Sequence, residues 1–396
     1  MHEGVTHEGM RDKTTAVFGK AFGDTDGIRV FFAPGRINLI GEHTDYNGGC
    51  VLPCALEMGT YCALRPGEGR AVRMYSGNFP GTGVIEWDLD RLAYREDAGW
   101  SNYPAGVVWA LSGKGLAPRQ GFDIAFLGDI PTSAGLSSSA SIEVVTGYAL
   151  ATLNGWDIPM AELALTGQDA ENNFVGMGCG IMDQFSISLG RAGHAIFLDT
   201  SDLSYEYVPL ALGDYCIMIM NTCKQRSLTD SKYNERRAEC GRALSCLAQA
   251  AGVKNLCDLD EEGFEAYKHL IKGEEELKRA RHVVYENGRA VKAKGLLAEG
   301  DFAKFGLLLD QSHLSLERDY EVTGVELDTL AGAAREQKGV LGARMTGAGF
   351  GGCAICIVEK GRAHEAMHNI GEAYYRKTGY RPEFYITDAG GGPVEL

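Results

Sequence analysis

Short apolar runs alternate along the chain with longer stretches of helical spacing. Residues 29–33 (RVFFA) read as a strand that ends at Pro34-Gly35, a pair that favours a turn. Phe122 to Leu127 forms another strand and runs into a loop rich in glycine and serine. Helical periodicity follows over Ser138 to Leu153, and again from Met160 to Phe174, a segment that carries Glu171 and is broken by the glycines of 176–180. Beyond Gly193 lie three strand-like pieces, HAIFLD, YEYVPL and YCIMIM. Helical patterns then cover 229–251, 260–272, 288–299 and 302–315. A glycine cluster at 347–352 precedes the strand AICIV, and a helix over 362–377 and the strand FYIT finish the pattern. Strands and helices mix without regular βαβ alternation, which predicts an α+β fold in layers. The pattern shifts near 195–212, the place for a domain boundary.

Composition narrows the class. At ~100–200 residues per domain, 396 residues imply two domains, and 45% apolar residues suffice for packed cores. A net charge of −15 argues against a nucleic-acid or acidic-membrane surface, which needs a basic footprint. No apolar run is long enough to span a membrane, and the N-terminus MHEGVTHEGMRDK lacks the apolar core of a signal peptide. The 53 glycines and 11 prolines suggest tight turns and close backbone approaches. The 11 cysteines are scattered, several in apolar runs. Only Cys353 and Cys356 have C-x-x-C spacing, inside a strand-like segment, so they read as reduced core thiols in a reducing compartment, the cytoplasm.

Three glycine-rich clusters carry candidate chemistry. The first, Ala33 to Gly49 (APGRINLIGEHTDYNGG), packs Arg36, Glu42, His43 and Asp45 close together. It suits a polar loop, a metal site without recognised ligand spacing, or a sugar site, where carboxylates read hydroxyl configuration. The second, Gly128 to Glu143 (GDIPTSAGLSSSASIE), leads from a strand into a helix. Small residues at a helix N-terminus suit a phosphate cradle, although no G-x-x-x-x-G-K-[ST] loop occurs. A serine-capped helix is the plainer alternative. The third, Met345 to Val358 (MTGAGFGGCAICIV), fits G-x-G-x-x-G but leads into a strand, which excludes a dinucleotide fingerprint. What remains is a tight turn, or a loop closing over phosphates or over the second cluster. Between them, in CGIMDQF, Asp183 reads either as a helix cap or as a base for an acceptor hydroxyl.

Together these segments resemble the GHMP small-molecule kinases, and within them the branch that phosphorylates galactose. The resemblance rests on PGRINLIGEHTDYNGG, GLSSSAS, TGAGFGGCAICIV and CGIMDQ, with KYNERRAEC (Lys232 to Cys240) and SHLSLERDYEVT (Ser312 to Thr323) typical of that branch. It implies an N-terminal domain of the ribosomal-S5-like kind over 1–195 and a ferredoxin-like C-terminal domain over 196–396, with the active site between them. It further implies transfer of the ATP γ-phosphoryl group to the C1 hydroxyl of D-galactose, with Mg²⁺, by a cytoplasmic monomer. Family roles then fall on Asp183 as base and Arg36 as transition-state stabiliser. Glu42, His43, Thr44, Asp45, Gly180 and Tyr233 would hold the sugar. Ser76 and the loop Ser133, Ala134, Gly135, Leu136, Ser137, Ser138 and Ser139 would hold the nucleotide, and Ser139 and Glu171 would ligate Mg²⁺. Ser133 stands where the family often has glycine, which bears on nucleotide affinity. Kinases for N-acetylgalactosamine, arabinose or galacturonate share most of these motifs. Non-catalytic sensors of the family lack the Ser-Ala dipeptide that stands here at Ser139-Ala140.

Overall fold

The computed structural model describes residues 6–131, 134–224 and 229–396. Its largest sheet has six strands in the order Val394–Glu395, Arg29–Asn38, Pro53–Pro66, Phe122–Gly128, Ala71–Ser76 and Ile85–Asp88. Every pairing is antiparallel except that of Ala71–Ser76 with Phe122–Gly128. Side chains alternate across this sheet with the two-residue period of a strand. Phe31, Cys62, Leu64, Ile124 and Phe126 face the helices Asn102–Gly113 and Ser138–Asn154. Val30, Ala63 and Ala125 face the helix His7–Phe22 through Phe18.

The first strand does not stop at Pro34-Gly35. It continues to Asn38, with a register shift between Pro34 and Arg36. Its outer neighbour Val394–Glu395 pairs only with Phe31 and Phe32, so Pro34 lies where one side of the strand is already free, and its missing N–H is tolerated. This irregular tail delivers Arg36 to the site.

A second sheet is antiparallel, in the order Val340–Thr346, Cys353–Glu359, Tyr215–Asn221 and Glu383–Thr387. One face (Met218, Met220, Ala354, Cys356) packs on Leu327, Leu330, Ile370 and Tyr374 of the helices Gly324–Arg335 and Ala363–Thr378. The other (Ile217, Ile219, Cys353, Ile355) packs on Phe305, Leu309 and Ala293 of the helices Phe302–Ser315 and Glu274–Glu299, and meets Ile37 and Leu39 of the first strand. Cys353 and Cys356 therefore enter different cores, and their C-x-x-C spacing makes no shared site. All eleven cysteines are free thiols. A third, three-stranded sheet joins Cys50–Val51, His194–Asp199 and Tyr205–Pro209. Among the described residues, no helix is long and apolar enough to cross a membrane.

Candidate active site

The three glycine clusters converge on one place. Gly35 lies flat against the serine loop, and a β-carbon there would come within 2.7 Å of the Leu136 carbonyl. The loop is tied to the first strand by Arg36 N–H donating to that same carbonyl at 3.1 Å. Gly347 closes from the other side in the left-handed region (φ +84°), its missing side chain only 2.9 Å from the Gly135 carbonyl. The third cluster is thus a hairpin loop seated on the second. A cavity of about 250 Å³ opens between them.

On its floor Arg36 and Asp183 form a bidentate ion pair, Nε to Oδ1 at 2.8 Å and Nη2 to Oδ2 at 3.0 Å. Nη1 of Arg36 donates to the Gly135 carbonyl at 2.9 Å, which fixes the fork, and the Ser137 hydroxyl donates to Asp183 Oδ2 at 2.5 Å. Asp183 stands in the first turn of a short helix, Met182–Ser188, with no side-chain cap bond there. Its carboxylate is 29% exposed, whereas the arginine side chain is 5% exposed, so the acid meets the cavity and the cation lies behind it.

The wall opposite comes from the 42–46 loop. Asp45 accepts backbone N–H bonds from Met182 and Tyr46, and burial, then the charges of Asp183 and Glu42, pushes its pKa up to about 7. Gly180 faces it so closely that a β-carbon would lie 1.8 Å from Asp45 Oδ2. His43 is buried with φ +63° and is one of the residues lining the cavity, and its Nε2, itself buried, has no partner. Tyr233 lines the cavity with its ring 5.8 Å from that of His43. Glu42 also borders the cavity, but both its oxygens are engaged: Oε1 by the Gly347 N–H at 2.7 Å and Oε2 by Asn38 Nδ2 at 2.8 Å. It staples the first cluster to the third.

Four of the residues expected to hold sugar or nucleotide stand outside the lining. Thr44 does not line the cavity: its hydroxyl turns back to the Gly41 and Cys50 carbonyls, each at 2.8 Å. Ser76 is buried at the end of its strand, opposite Phe126, and outside the lining. Ala134 and Leu136 are buried, and it is neighbouring Gly135, Ser137, Ser138 and Ser139 that face the cavity. Ser133 lies outside the described residues.

Behind the wall sits a carboxylate cluster. Glu171 lies on a π-helical turn, Ala170–Val175, that ends the preceding helix Met160–Asp169. Its Oε2 accepts from Gln184 Nε2 at 2.6 Å, and its carboxylate hydrogen-bonds the side chains of Cys179 and Ser139. Burial, then the Asp183 charge, lifts its pKa to about 7. Gln184 also donates to Glu143 Oε2 at 3.0 Å, and Glu143 keeps Oε1 buried and unpartnered. Glu143 and Gln184 were not expected from the sequence, yet each had a positional signal: Glu143 is one helical turn after Ser139, and Gln184 adjoins Asp183. Burial lifts the Glu143 pKa as well, so these acids favour their neutral forms without a cation, and the hard oxygens of Ser139 and Glu171, hydrogen-bonded to each other, fit a divalent cation such as Mg²⁺. A second acidic group, His313, Glu317 and Asp328, does not fit one. The Met345 N–H donates to His313 Nδ1 at 3.1 Å, so Nε2 bears the proton of the neutral ring and offers a cation no lone pair, although it lies 3.3 Å from Asp328 Oδ1.

This architecture has known relatives. Residues 16–66 match the galactokinase galactose-binding signature, 102–191 the GHMP kinases N terminal domain and 293–376 the GHMP kinases C terminal. The chain is 50% identical over 387 residues to a galactokinase of Ligilactobacillus salivarius, covering 98% of this chain and 99% of that protein. It is 47% identical to one of Bacillus subtilis, with 98% and 99% covered. The crystal structure of Lactococcus lactis galactokinase complexed with galactose superposes with a TM-score of 0.96 at 48% identity, covering 98% of this chain and all of that one. Methanococcus jannaschii mevalonate kinase shares the fold, with a TM-score of 0.64 at 17% identity, 92% of this chain and 98% of that one being covered.

Proposed function

The chain belongs to the galactokinases of the GHMP kinase family, and on that premise we propose that its Arg36–Asp183 pair carries phosphoryl transfer from ATP to the C1 hydroxyl of D-galactose. The observation that carries this reading is the bidentate pair on the cavity floor. Asp183 presents a carboxylate to the cavity and accepts the proton of the C1 hydroxyl. The hydroxyl oxygen forms its bond to the γ-phosphorus as the bond to the ADP oxygen breaks. Arg36 holds the carboxylate in place through two hydrogen bonds, and its charge lies beside the developing negative charge. Transfer of this kind consists largely of positioning and charge stabilisation, which a preformed fork supplies.

Asp45, His43, Tyr233 and the flat surface of Gly180 would hold the sugar. Gly135 and Ser137 to Ser139, at the N-terminus of helix Ser138–Asn154, would receive the phosphates, where backbone N–H groups and the helix dipole favour anions. Ser139 and Glu171 would hold Mg²⁺, which when bound neutralises phosphate charge. We read the enzyme as a cytoplasmic monomer, and its eleven free thiols suit a reducing compartment.

A coupled ADP-release assay over galactose, N-acetylgalactosamine, arabinose and galacturonate tests the reading, with phosphorus NMR of the product. Galactose should give the highest kcat/KM and an anomeric phosphate. Preference for another sugar of the panel, or phosphate on another carbon, would overturn it.

A further inference from the structure

Two segments singled out in the sequence, Lys232 to Cys240 and Ser312 to Thr323, meet behind His43 and end a chain of hydroxyls there. His43 Nδ1 is 2.8 Å from the Tyr46 hydroxyl, which is 2.7 Å from the Tyr320 hydroxyl, which is 3.2 Å from the Cys240 sulfur. Tyr320 and Cys240 are buried, and the Tyr320 ring lies 4.6 Å from the imidazole, tilted by 34°. Asn47 completes the support, with Nδ2 donating to the His43 carbonyl at 2.9 Å and its side chain hydrogen-bonding the Cys240 sulfur.

The polarity of this chain follows from acid and base strength. A phenol is a far stronger acid than a neutral imidazole N–H, and an imidazole nitrogen is a better base than a phenol oxygen. Tyr46 therefore donates to His43 Nδ1. The Tyr46 oxygen is left to accept from Tyr320, and the Tyr320 oxygen to accept from the Cys240 thiol. Burial, with His282, Arg344 and Arg236 close by, holds the His43 pKa well below its usual range, so the ring carries one proton at neutral pH. With Nδ1 occupied as an acceptor, that proton is on Nε2.

We infer that Tyr46, backed by Tyr320 and Cys240, is a positioning residue for sugar recognition: it fixes His43, a cavity-lining residue, as the Nε2–H tautomer and so leaves a buried donor that no protein group satisfies, ready for a sugar hydroxyl. The 42–46 loop then offers the sugar a donor at His43 beside an acceptor carboxylate at Asp45. This polarity can be read only by hydroxyls of matching orientation. The inference rests on the reading of this cavity as the galactose site.

Nitrogen-15 histidine labelling tests it on the whole enzyme without sugar. In a multiple-bond proton–nitrogen spectrum, with the His43 signals assigned by their loss in His43→Gln, wild type should show His43 as Nε2–H. Tyr46→Phe should give mixed tautomers and a galactose KM raised about tenfold, the size of one ordinary hydrogen bond, with kcat and the ATP KM nearly unchanged. Tyr320→Phe leaves the Tyr46 donor in place, so it should keep Nε2–H and raise the galactose KM less. An Nδ1–H tautomer in wild type overturns the inference whether or not any variant folds. So does a folded Tyr46→Phe enzyme with wild-type galactose KM. The galactose reading fails separately, if His43→Gln and Asp45→Ala both keep the wild-type galactose KM.

Discussion

Arg36 holds both carboxylate oxygens of Asp183, at 2.8 and 3.0 Å, across the gap between the tail of the first strand and the start of helix Met182–Ser188. An aspartate in the first turn of a helix ordinarily serves the helix by capping. Here the carboxylate is spent on Arg36 and on Ser137 instead, and no side-chain cap bond forms. The register shift at Pro34 and the glycine at 35 exist in the same few residues, and together they let the strand carry a buried guanidinium to that spot.

Sugar affinity should depend on Asp45 and on the bare face of Gly180. Replacing Asp45 by alanine should raise the galactose KM at least ~100-fold, the scale of leaving buried polar partners unpaired, with little change in the ATP KM. Gly180→Ala puts a β-carbon 1.8 Å from Asp45 Oδ2, so the carboxylate must move. It should reproduce the same selective defect at least in part, about tenfold or more. Steady-state kinetics with each substrate varied will show it, and an unchanged galactose KM in Asp45→Ala removes that residue from the site.

Stability of the free enzyme should carry the mark of the buried acids. Asp45 and Glu171 both have pKa values raised to about 7. Between their unfolded values near 4 and this folded value, the native state binds more protons than the unfolded chain, so these groups weaken the fold as pH rises from about 4 to 7. Asp45→Asn and Glu171→Gln should therefore melt above wild type at pH 7.5, by a margin that shrinks at pH 5. Thermal unfolding in the absence of sugar and magnesium measures this; a margin constant with pH would contradict the raised pKa values.

Magnesium dependence should weaken with the loss of Glu171. The residue is buried behind Cys179 and Ser139 and held by Gln184 at 2.6 Å, so it is no ordinary surface glutamate. Glu171→Ala should fold and need much more Mg²⁺ for half-maximal rate. A wild-type magnesium titration in a folded variant would leave the carboxylate with a structural role alone.

Much of this was legible in the sequence where a motif forces a local geometry. The serine loop had to precede a helix, and the helix Ser138–Asn154 begins within it. Elements were lost where buried polar groups break the apolar rhythm. Helix Glu274–Glu299 starts well before the expected residue 288 because its inner face carries Arg279, His282, Glu286 and Arg289. Helices His7–Phe22 and Gly324–Arg335 and the long strand Pro53–Pro66 were likewise not read from pattern. In the site, a motif places residues in a loop but does not say which way each one points. Thr44 sits between two cavity residues and faces inward to backbone carbonyls, while Tyr46, one position beyond Asp45, reaches the imidazole of His43.

Whether Asp183 and Arg36 act as one catalytic unit is decided by kcat and thermal unfolding measured on a single preparation of Asp183→Asn. The substitution keeps shape while deleting the base and its charge. The variant should fold and bind galactose and MgATP, with kcat lowered by ~10²–10⁴-fold, the usual worth of a general base. Arg36→Met should also lower kcat, and the double variant should fall far short of the product of the two losses. A folded Asp183→Asn enzyme that keeps more than about a tenth of wild-type kcat, or one whose loss is matched by a lowered melting temperature with normal turnover per folded molecule, would contradict it.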